Sequence, residues 1–458
     1  PFKEERSLSV PSNVSRLGNI RFSGNFTGFI SDFVAYGKLN TRLGSLRSDV
    51  LLRQDYNTGT LSYSGKLKTE RLDVGTFFGV DSLGRLSLDA SIDGKGLTAA
   101  SIDAQLEGRI NQVEIMGYDY KNIDLNGRLF EKRFEGDYSI NDENLDMGFA
   151  GVVDFGGDEP YFNFRSTVQK ANLSKLKLLK QREDASIRGD IVFNFVGNDI
   201  DELIGNIDMY NITYTEPGHS FKIGNVNFSV SEDEGARHLI LNSDVLDARF
   251  DGKFFFKSLR RGANNMVGKH LPRYAQEFEK LGAEENLDFG FFLELHNPDL
   301  IIYLLEQNLE LGNGSRLAGR YSSSGDLIQI DGHIPSMTYK GVRFDEIIVQ
   351  ADNPTELFQL DMTCASIKIT NSMVLRNLTA TTGSFDNRLD FGLDWNNLSK
   401  KENRGRINGR VDFESAGEAK LRFSRSLVSV KDLQWIIDPM GELGFDSTGV
   451  SVSNIKIQ

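Results

Sequence analysis

"YKNIDLNGRLFEKRFEGDYSI", residues Tyr120 to Ile140, alternates apolar and polar side chains on either side of a charged centre. Ile123, Leu125 and Leu129 fall on odd positions, with Asn122, Asp124, Asn126 and Arg128 between them. After Glu131, Lys132 and Arg133 the apolar set moves to even positions: Phe134, Gly136, Tyr138 and Ile140, against Glu135, Asp137 and Ser139. A period of two specifies two half-buried strands joined by a charged turn. Such a hairpin has one apolar face and one wet face. Whatever covers the apolar face decides what the protein does.

The same period recurs along the chain. "LDARFDGKFFF" places Leu246, Ala248, Phe250, Gly252, Phe254 and Phe256 on one face, and Asp247, Arg249, Asp251 and Lys253 on the other. "NRLDFGLDW" sets Leu389, Phe391, Leu393 and Trp395 against Asp390 and Asp394, and "GRINGRVDF" sets Ile407, Gly409, Val411 and Phe413 against Arg406, Asn408, Arg410 and Asp412. Gly is abundant, at 45 residues, and falls inside strands, where it marks bends, bulges or curvature. Pro is scarce, at 9, as a ladder of paired strands requires.

The strands also recur in blocks. "NLDMGFAGVVDF" superposes on "VLDARFDGKFFF", with Leu145 on Leu246, Phe149 on Phe250, Gly151 on Gly252 and Phe155 on Phe256; Met147 shares that face. "GYDYKNIDLNGRL" resembles "HSFKIGNVNFSVS" and "MTYKGVRFDEIIV", so Tyr120-Lys121, Phe221-Lys222 and Tyr339-Lys340 repeat at intervals of about a hundred residues. A Leu-rich stretch precedes each block: "ERLDVGTFFGV", "ANLSKLKLLK" and "NPDLIIYLLEQNLEL". The blocks are residues 1–160, 161–270 and 271–458, the last opening on short helices, in one continuous array rather than independent domains.

Helical signals are few. Asn297, Pro298 and Asp299 make an N-cap, first helical residue and first-turn acid, followed by the stripe Leu300, Ile301, Leu304 and Leu305. "LPRYAQEFEKLG" has a second stripe, Leu271, Tyr274, Phe278 and Leu281. Between strands and helices, "KSLRRGANNMVGKH" (residues 257–270) reads as a polar loop and a place for a boundary. The Leu-rich pieces Leu173–Leu179 and Leu300–Leu309 are amphipathic and too short to cross a bilayer, so they are expected to pack on the apolar face or its rim, with Leu304 and Leu305 buried.

Helices this few cannot cover sheets this extensive. Closed solenoids repeat every 20 to 30 residues or so, far below the spacing here. The expected fold is all-β with few short helices: an elongated, curled antiparallel sheet repeat whose inner face is an apolar trough. Roughly thirty strands about 4.8 Å apart would extend on the order of 140 Å.

Composition and motifs narrow the function. The chain of 458 residues is 39% apolar and 26% charged, which is the make-up of a folded chain. It has no apolar run long enough for a membrane-spanning helix. Its first residues show neither Met nor a signal-like apolar stretch, and both ends read as cut from a longer mature protein. The net charge of −13 argues against nucleic acid and against docking on anionic headgroups, and no basic cluster stands out within the strand blocks. Cys364, the sole cysteine, lies in a strand pattern and is expected as a buried thiol. The five histidines lack metal-site spacing and read as solvated loop residues. "NDENLDMGFAGV" begins like a calcium loop, but Met147 and Val153 stand where that loop needs Gly and Glu. "GKGLTA" (94–99) leads into further alternation, so it is a turn and not a dinucleotide site. No phosphate-binding or nucleophile-elbow motif occurs, and carboxylates spread along wet faces cannot form a dry acid/base pair. No enzyme activity, metal or cofactor is expected.

The chain resembles the AsmA-like/TamB superfamily of large periplasmic proteins, in the version seen in Bacteroidetes. The resemblance rests on the block order of Leu-rich helix then Gly-rich strands, and on the Y-K-x-[IV] strand followed by a hairpin and [NV]-L-D-x-x-F-x-G. It rests also on the late "LDFGLDWNN…GRINGRVDF…DLQWIIDP" with Trp395 and Trp435. It implies a periplasmic protein of a Gram-negative envelope, held by an inner-membrane anchor outside this segment. It implies an outer-membrane partner of the Omp85 barrel type (TamA-like), and roles in phospholipid movement and outer-membrane protein assembly. The lipid path would then be lined by the alternating apolar residues: Ile123, Leu125, Leu129, Phe134, Tyr138, Leu145, Met147, Phe149, Leu246, Phe250, Phe254, Leu389, Phe391, Leu393 and Trp395. In a wet trough Phe250→Asp would be tolerated by the fold and would cost bound lipid. Two other readings compete: a structural β protein with dry, mutually packed faces, and a chaperone-like protein whose sheet edges bind unfolded outer-membrane proteins.

Overall fold

The structure is a computed structural model that describes residues 13–29, 32–55, 57–282, 285–305, 308–353, 357–370, 373–398, 403–430, 433–439, 441–447 and 449–455. These residues form thirty strands, one 3₁₀ turn (Val14–Leu17) and three helices: α1 (Val74–Phe78), α2 (Phe256–His270) and α3 (Asp299–Leu305). The chain divides into two compact units, one ending at Val226 and the other starting at Asn227, with strand His219–Asp233 running across the division.

The first unit is an antiparallel meander. Its strands run from Arg21–Phe29 and Asp32–Thr41 through Tyr118–Phe130, Arg133–Asn141, Leu145–Asp154, Tyr161–Asn172 and Ser186–Val196 to Ile204–Glu216, each long strand paired with the next long one. The second unit continues the plan from Ala236–Ser243 to Asn403–Ser415, where the ladder forks. One half of Asn403–Ser415 pairs with Glu418–Phe423 and the other with Ser426–Val430. The architecture is therefore all-β with few short helices. Within each unit the sheet stays open and is not strongly curled.

The hairpin at Tyr120–Ile140 forms as its alternation specifies. Ile123 faces Ile140, Leu125 faces Tyr138 and Leu129 faces Phe134 across strands Tyr118–Phe130 and Arg133–Asn141. Glu131 and Lys132 form the two-residue turn with φ of 47° and 68°, the mirror-image geometry that matches the twist of paired strands. On the wet face, Arg109 and Asp124 make two hydrogen bonds of 2.8 and 3.0 Å, and Arg128 makes the same fork on Asp103 at 2.7 and 3.0 Å. Asp124 and Asp103 on the wet face are thus matched across strands to guanidinium groups.

The alternation does not run unbroken through the long strands. Asn122, Asn211, Glu346 and Asn377 have φ near +50° in mid-strand, and each precedes a buried residue: Ile123, Ile212, Ile347 and Leu378. At each, the face parity flips. Tyr118 and Tyr120 lie on the same side as Ile123 and Leu125, and Phe344 on the same side as Ile347. Neighbouring strands flip at the same level. Ile334 and Met337, Phe344 and Ile347, Cys364 and Ile367, and Leu375 and Leu378 all share one core at a spacing of three. A non-glycine residue rarely adopts positive φ, and Asn tolerates it best because its short amide finds local partners. The Asn122 and Asn377 amides each donate to the main-chain carbonyl nineteen residues on, that of Asn141 at 3.2 Å and of Asn396 at 2.9 Å.

This crease re-registers the repeat. Met116-Gly117 and Lys340-Gly341 are both hairpin turns with positive φ, so the counterpart of Tyr120–Ile123 is Phe344–Ile347 and not the segment at Tyr339-Lys340. The superposition of Leu145 on Leu246 holds as far as Gly151 and Gly252, both at positive φ. It ends there, because Phe254 closes a core and Phe256 starts α2, whereas Phe155 is exposed.

Four expectations about the helices are corrected. Residues 257–270, read as a loop, belong to α2, and "LPRYAQEFEKLG" forms turns. The buried face of α2 is Ser258, Gly262 and His270, at multiples of four. With small and polar residues there, the apolar stripe that announces a helix is missing, while Lys, Arg, Leu, Ala and Met supply the propensity. Tyr321 Oη donates to the Gly262 carbonyl at 3.0 Å, and a Cβ at Gly262 would stand 2.8 Å from Leu287. Leu173–Leu179 forms a run of turns, yet Leu176 does bury itself in the core of Val113, Ile123, Ile140 and Leu145. In α3 the Asn297 cap is present, accepting from Asp299 N at 3.4 Å, and Pro298 is fully buried. Leu300 and Ile302 are buried, while Leu304 and Leu305 are 43% and 76% exposed, against expectation. The residues that dock are those at the capped end, Pro298, Leu300 and Ile302. Residues 306–307 of the expected segment lie outside the described ones, and Leu309–Leu311 is a strand. Among the described residues no helix is long and apolar enough to cross a membrane.

Candidate functional site

The most continuous feature of the first unit is a row of rings on its apolar face. Tyr138, Phe149, Phe164 and Phe193 come from four successive strands. Their ring centroids lie 4.5, 4.9 and 5.0 Å apart in turn, the first and last pairs stacked with planes 7° and 3° from parallel. This spacing is that of the strands themselves, so the rings form a track across the strands. Phe134 and Phe195 widen it at 6.3 Å from Phe149 and 5.3 Å from Phe193. Glycines make room: Gly127 lies opposite Gly136 and Gly136 opposite Gly151, and a Cβ at Gly127 would stand 2.6 Å from the Phe134 ring. The interior glycines therefore seat rings on the backbone, a role beyond the bends expected of them.

Most of the track is half-buried, with Phe149 and Phe195 buried. Beside it Phe155, Pro160, Phe162 and Leu203 border a concavity of about 540 Å³. Among the described residues of this unit the helices are limited to α1 and the 3₁₀ turn, and the loop residues Asn198, Asp199 and Ile200 flank the rings at the same concavity. Burial pushes the Tyr138 hydroxyl up to about 12, helped by the charge of Tyr120. Burial does the same to Tyr63, with the charge of Asp103 adding to it, and its hydroxyl donates to the Gly96 carbonyl at 2.9 Å.

The second unit has a counterpart that is closed. Phe250, Phe254 and Phe289 meet with centroids about 6 Å apart, and Phe289 lies 5.9 Å from Tyr321. Phe254 is only 1% exposed and Leu287 is fully buried. The first residue of α2, Phe256, adds its ring to Phe250 and Phe254.

All fifteen residues singled out from the alternation are buried or half-buried. Tyr138, Met147 and Phe149 come together at the track, while Ile123 and Leu145 share a neighbouring core under Leu176. Leu246, Phe250 and Phe254 lie in the second unit, as do Leu389, Phe391, Leu393 and Trp395. Phe391 and Trp395 press on Gly409 and Gly405. Phe162, Phe164, Phe193 and Phe195 were missed, although "YFNFRS" and "DIVFNFV" carry the same alternation.

The remaining candidates resolve locally. Cys364 is buried as expected, its thiol donating to the Asp345 and Ser366 carbonyls and pushed up by burial. Asp142 holds a turn by accepting from Tyr118 Oη at 2.5 Å and from the Lys121 and Asn144 amides. The histidines are not free loop residues. His238, His296 and His333 pair with Asp251, Asp247 and Glu346 at 2.9 to 3.0 Å, and His270 is buried against Phe358. Compared with protein-family models, curated proteins and solved structures, the chain has no match.

Proposed function

We propose that the ring track is part of the floor of an apolar trough that conducts phospholipid between the inner and outer membranes of a Gram-negative envelope and supports outer-membrane protein assembly. The resemblance to the AsmA-like/TamB superfamily supports this reading, with an Omp85-type outer-membrane barrel and an inner-membrane anchor as partners. The observation that carries it is the row of rings, continuous over four strands, with Phe149 buried and Tyr138, Phe164 and Phe193 half-buried. Leaving water is worth about 0.8 kcal/mol per methylene, so a lipid travels only where both tails stay covered, and a row running across the strands offers unbroken cover while the headgroup stays in water. The test is native mass spectrometry of protein purified from cells, with extraction and identification of what it carries. Phospholipid of mixed headgroup supports the conduit. A protein that is lipid-free, or that holds one soluble ligand, rejects it.

One observation favours the chaperone-like reading instead. Strand Gly449–Ser453 is exposed throughout, shows Val450 and Val452 to solvent, and among the described residues pairs with Glu442–Asp446 alone. An exposed apolar edge is a template for strand addition. Capture of unfolded outer-membrane strands by lipid-free protein would favour it.

A further inference from the structure

The polar face of the first strands differs in charge from the chain around it. Residues 13–73 hold nine Lys and Arg against five Asp and Glu, a net +4 within a chain of net −13. The register gathers cations from three strands that the sequence keeps apart. Lys38 lies opposite Arg47 and Arg47 opposite Lys68, with Lys66 on the same face of the third strand. Like charges placed directly opposite destabilise a sheet, so strand pairing alone does not favour this row. Lys68 is matched by Asp89 at 2.8 Å; Lys38, Arg47 and Lys66 form no ion pair among the described residues. The four surround a concavity of about 430 Å³ together with Tyr36, Asp49 and Asp89.

The same face is apolar beside the cations. Tyr36 is 61% exposed, Val34 and Leu51 face each other across strands with more than a third of their surface in water, and Phe29 at the strand end is 83% exposed. Aromatic and aliphatic side chains next to unpaired cations gain nothing from a free phosphate ion. They gain from a surface that presents phosphates above hydrocarbon, where rings sit at headgroup level and Lys and Arg meet anionic lipid.

We propose that this face, formed by strands Arg21–Phe29, Asp32–Thr41, Gly44–Gln54 and Leu61–Glu70, docks on the surface of an anionic phospholipid bilayer. It lies opposite the apolar side of the same strands, and it holds or fails independently of the lipid track. The expectation from net charge alone was the reverse, because a sum over the chain hides a local excess of opposite sign.

The test is co-sedimentation of the whole chain with vesicles of phosphatidylglycerol and phosphatidylcholine in equal parts, and with vesicles of phosphatidylcholine alone. Binding is expected to the anionic vesicles only, and to fall as salt is raised to about 0.5 M. Lys38→Glu, Arg47→Glu and Lys66→Glu together should weaken it on the order of a hundredfold, and Val34→Ser with Tyr36→Ser by a smaller factor. All five side chains lie on the polar face, and circular dichroism verifies the fold; should the reversed triple unfold, the Gln triple should show a smaller loss in the same direction, at least about tenfold. Equal binding to both vesicles, full binding by a folded triple variant, or binding to polyglutamate in place of vesicles would overturn the proposal. The last result would assign the face to an acidic polypeptide.

Discussion

The two units solve the same problem in opposite ways. Each has a face of Phe and Tyr on adjacent antiparallel strands. In the second unit a fifteen-residue helix joins that face through Phe256, and Phe254 and Leu287 lose all but a trace of their contact with water. In the first unit Tyr138 stacks on the buried Phe149 and Phe164 on Phe193, and Tyr138, Phe164 and Phe193 stay half-buried while Phe195 at the end of the row is buried. Ring stacking contributes about 0.5–1.5 kcal/mol beyond area burial, enough to keep a row ordered without a lid. A covered aromatic face serves stability, whereas an uncovered one leaves apolar area to be buried by something else.

The sharpest way to break that contrast is alkali, because the groups it acts on are unevenly divided. Tyr63, Tyr118 and Tyr138, all in the first unit, hold their protons to about 12. Burial is the first cause for each, and for Tyr118 the hydrogen bond to Asp142 follows. In the unfolded chain tyrosine titrates near 10. Between those values the folded state binds more protons than the unfolded one, so the stabilisation is complete below about pH 10 and is lost as pH rises through about 12. The first unit is expected to unfold ahead of the second, with a step in tyrosinate absorbance that coincides with loss of its β signal. Simultaneous loss of both units would erase the distinction.

Next in size are changes in the covered cluster. Phe254→Ala should cost roughly 3–5 kcal/mol by leaving a cavity beside Phe250 and Phe289. Phe250→Asp, which a wet trough would tolerate at the cost of bound lipid, places a carboxylate at a half-buried position against the Phe254, Phe256 and Phe289 rings and should destabilise the second unit, though by less than a change at the fully buried Phe254. Chemical denaturation of the variants measures both. The matching change in the open row, Phe164→Asp, should leave the fold intact with a modest fall in melting temperature, since water reaches the site, and should lower bound lipid. If Phe164→Asp unfolds the chain as Phe254→Ala does, the row is a core and not a track.

The smallest effect sharpens the crease. Asn122→Ala should cost about 1 kcal/mol because alanine resists positive φ, while Asn122→Gly should be neutral to slightly stabilising. A melting curve that ranks Ala above Gly would show that the mid-strand φ is not a constraint.

Strand existence, the opening hairpin and its face assignment were legible because period two admits few alternatives. Strand continuation was less so. The Asn-Ile pairs at Asn122 and Asn211 sit inside apparently regular alternation, and only a backbone at positive φ reveals that the faces exchange there. Helix α2 was hidden for the reverse reason: its buried side is Ser258, Gly262 and His270, so its packing is close backbone approach and not a greasy stripe. The basic face was invisible because Lys38, Arg47 and Lys68 are brought together by register, which a linear reading of charge does not contain.

Site-specific photo-crosslinking in cells addresses the open row directly. A photoreactive phenylalanine placed at Phe164 points along the ring track, and one placed at its neighbour Asn163 points to the wet face. Phospholipid joined to position 164 and absent from position 163 is the expected result. No lipid at 164, or equal labelling at both positions, would contradict a lipid path along these rings.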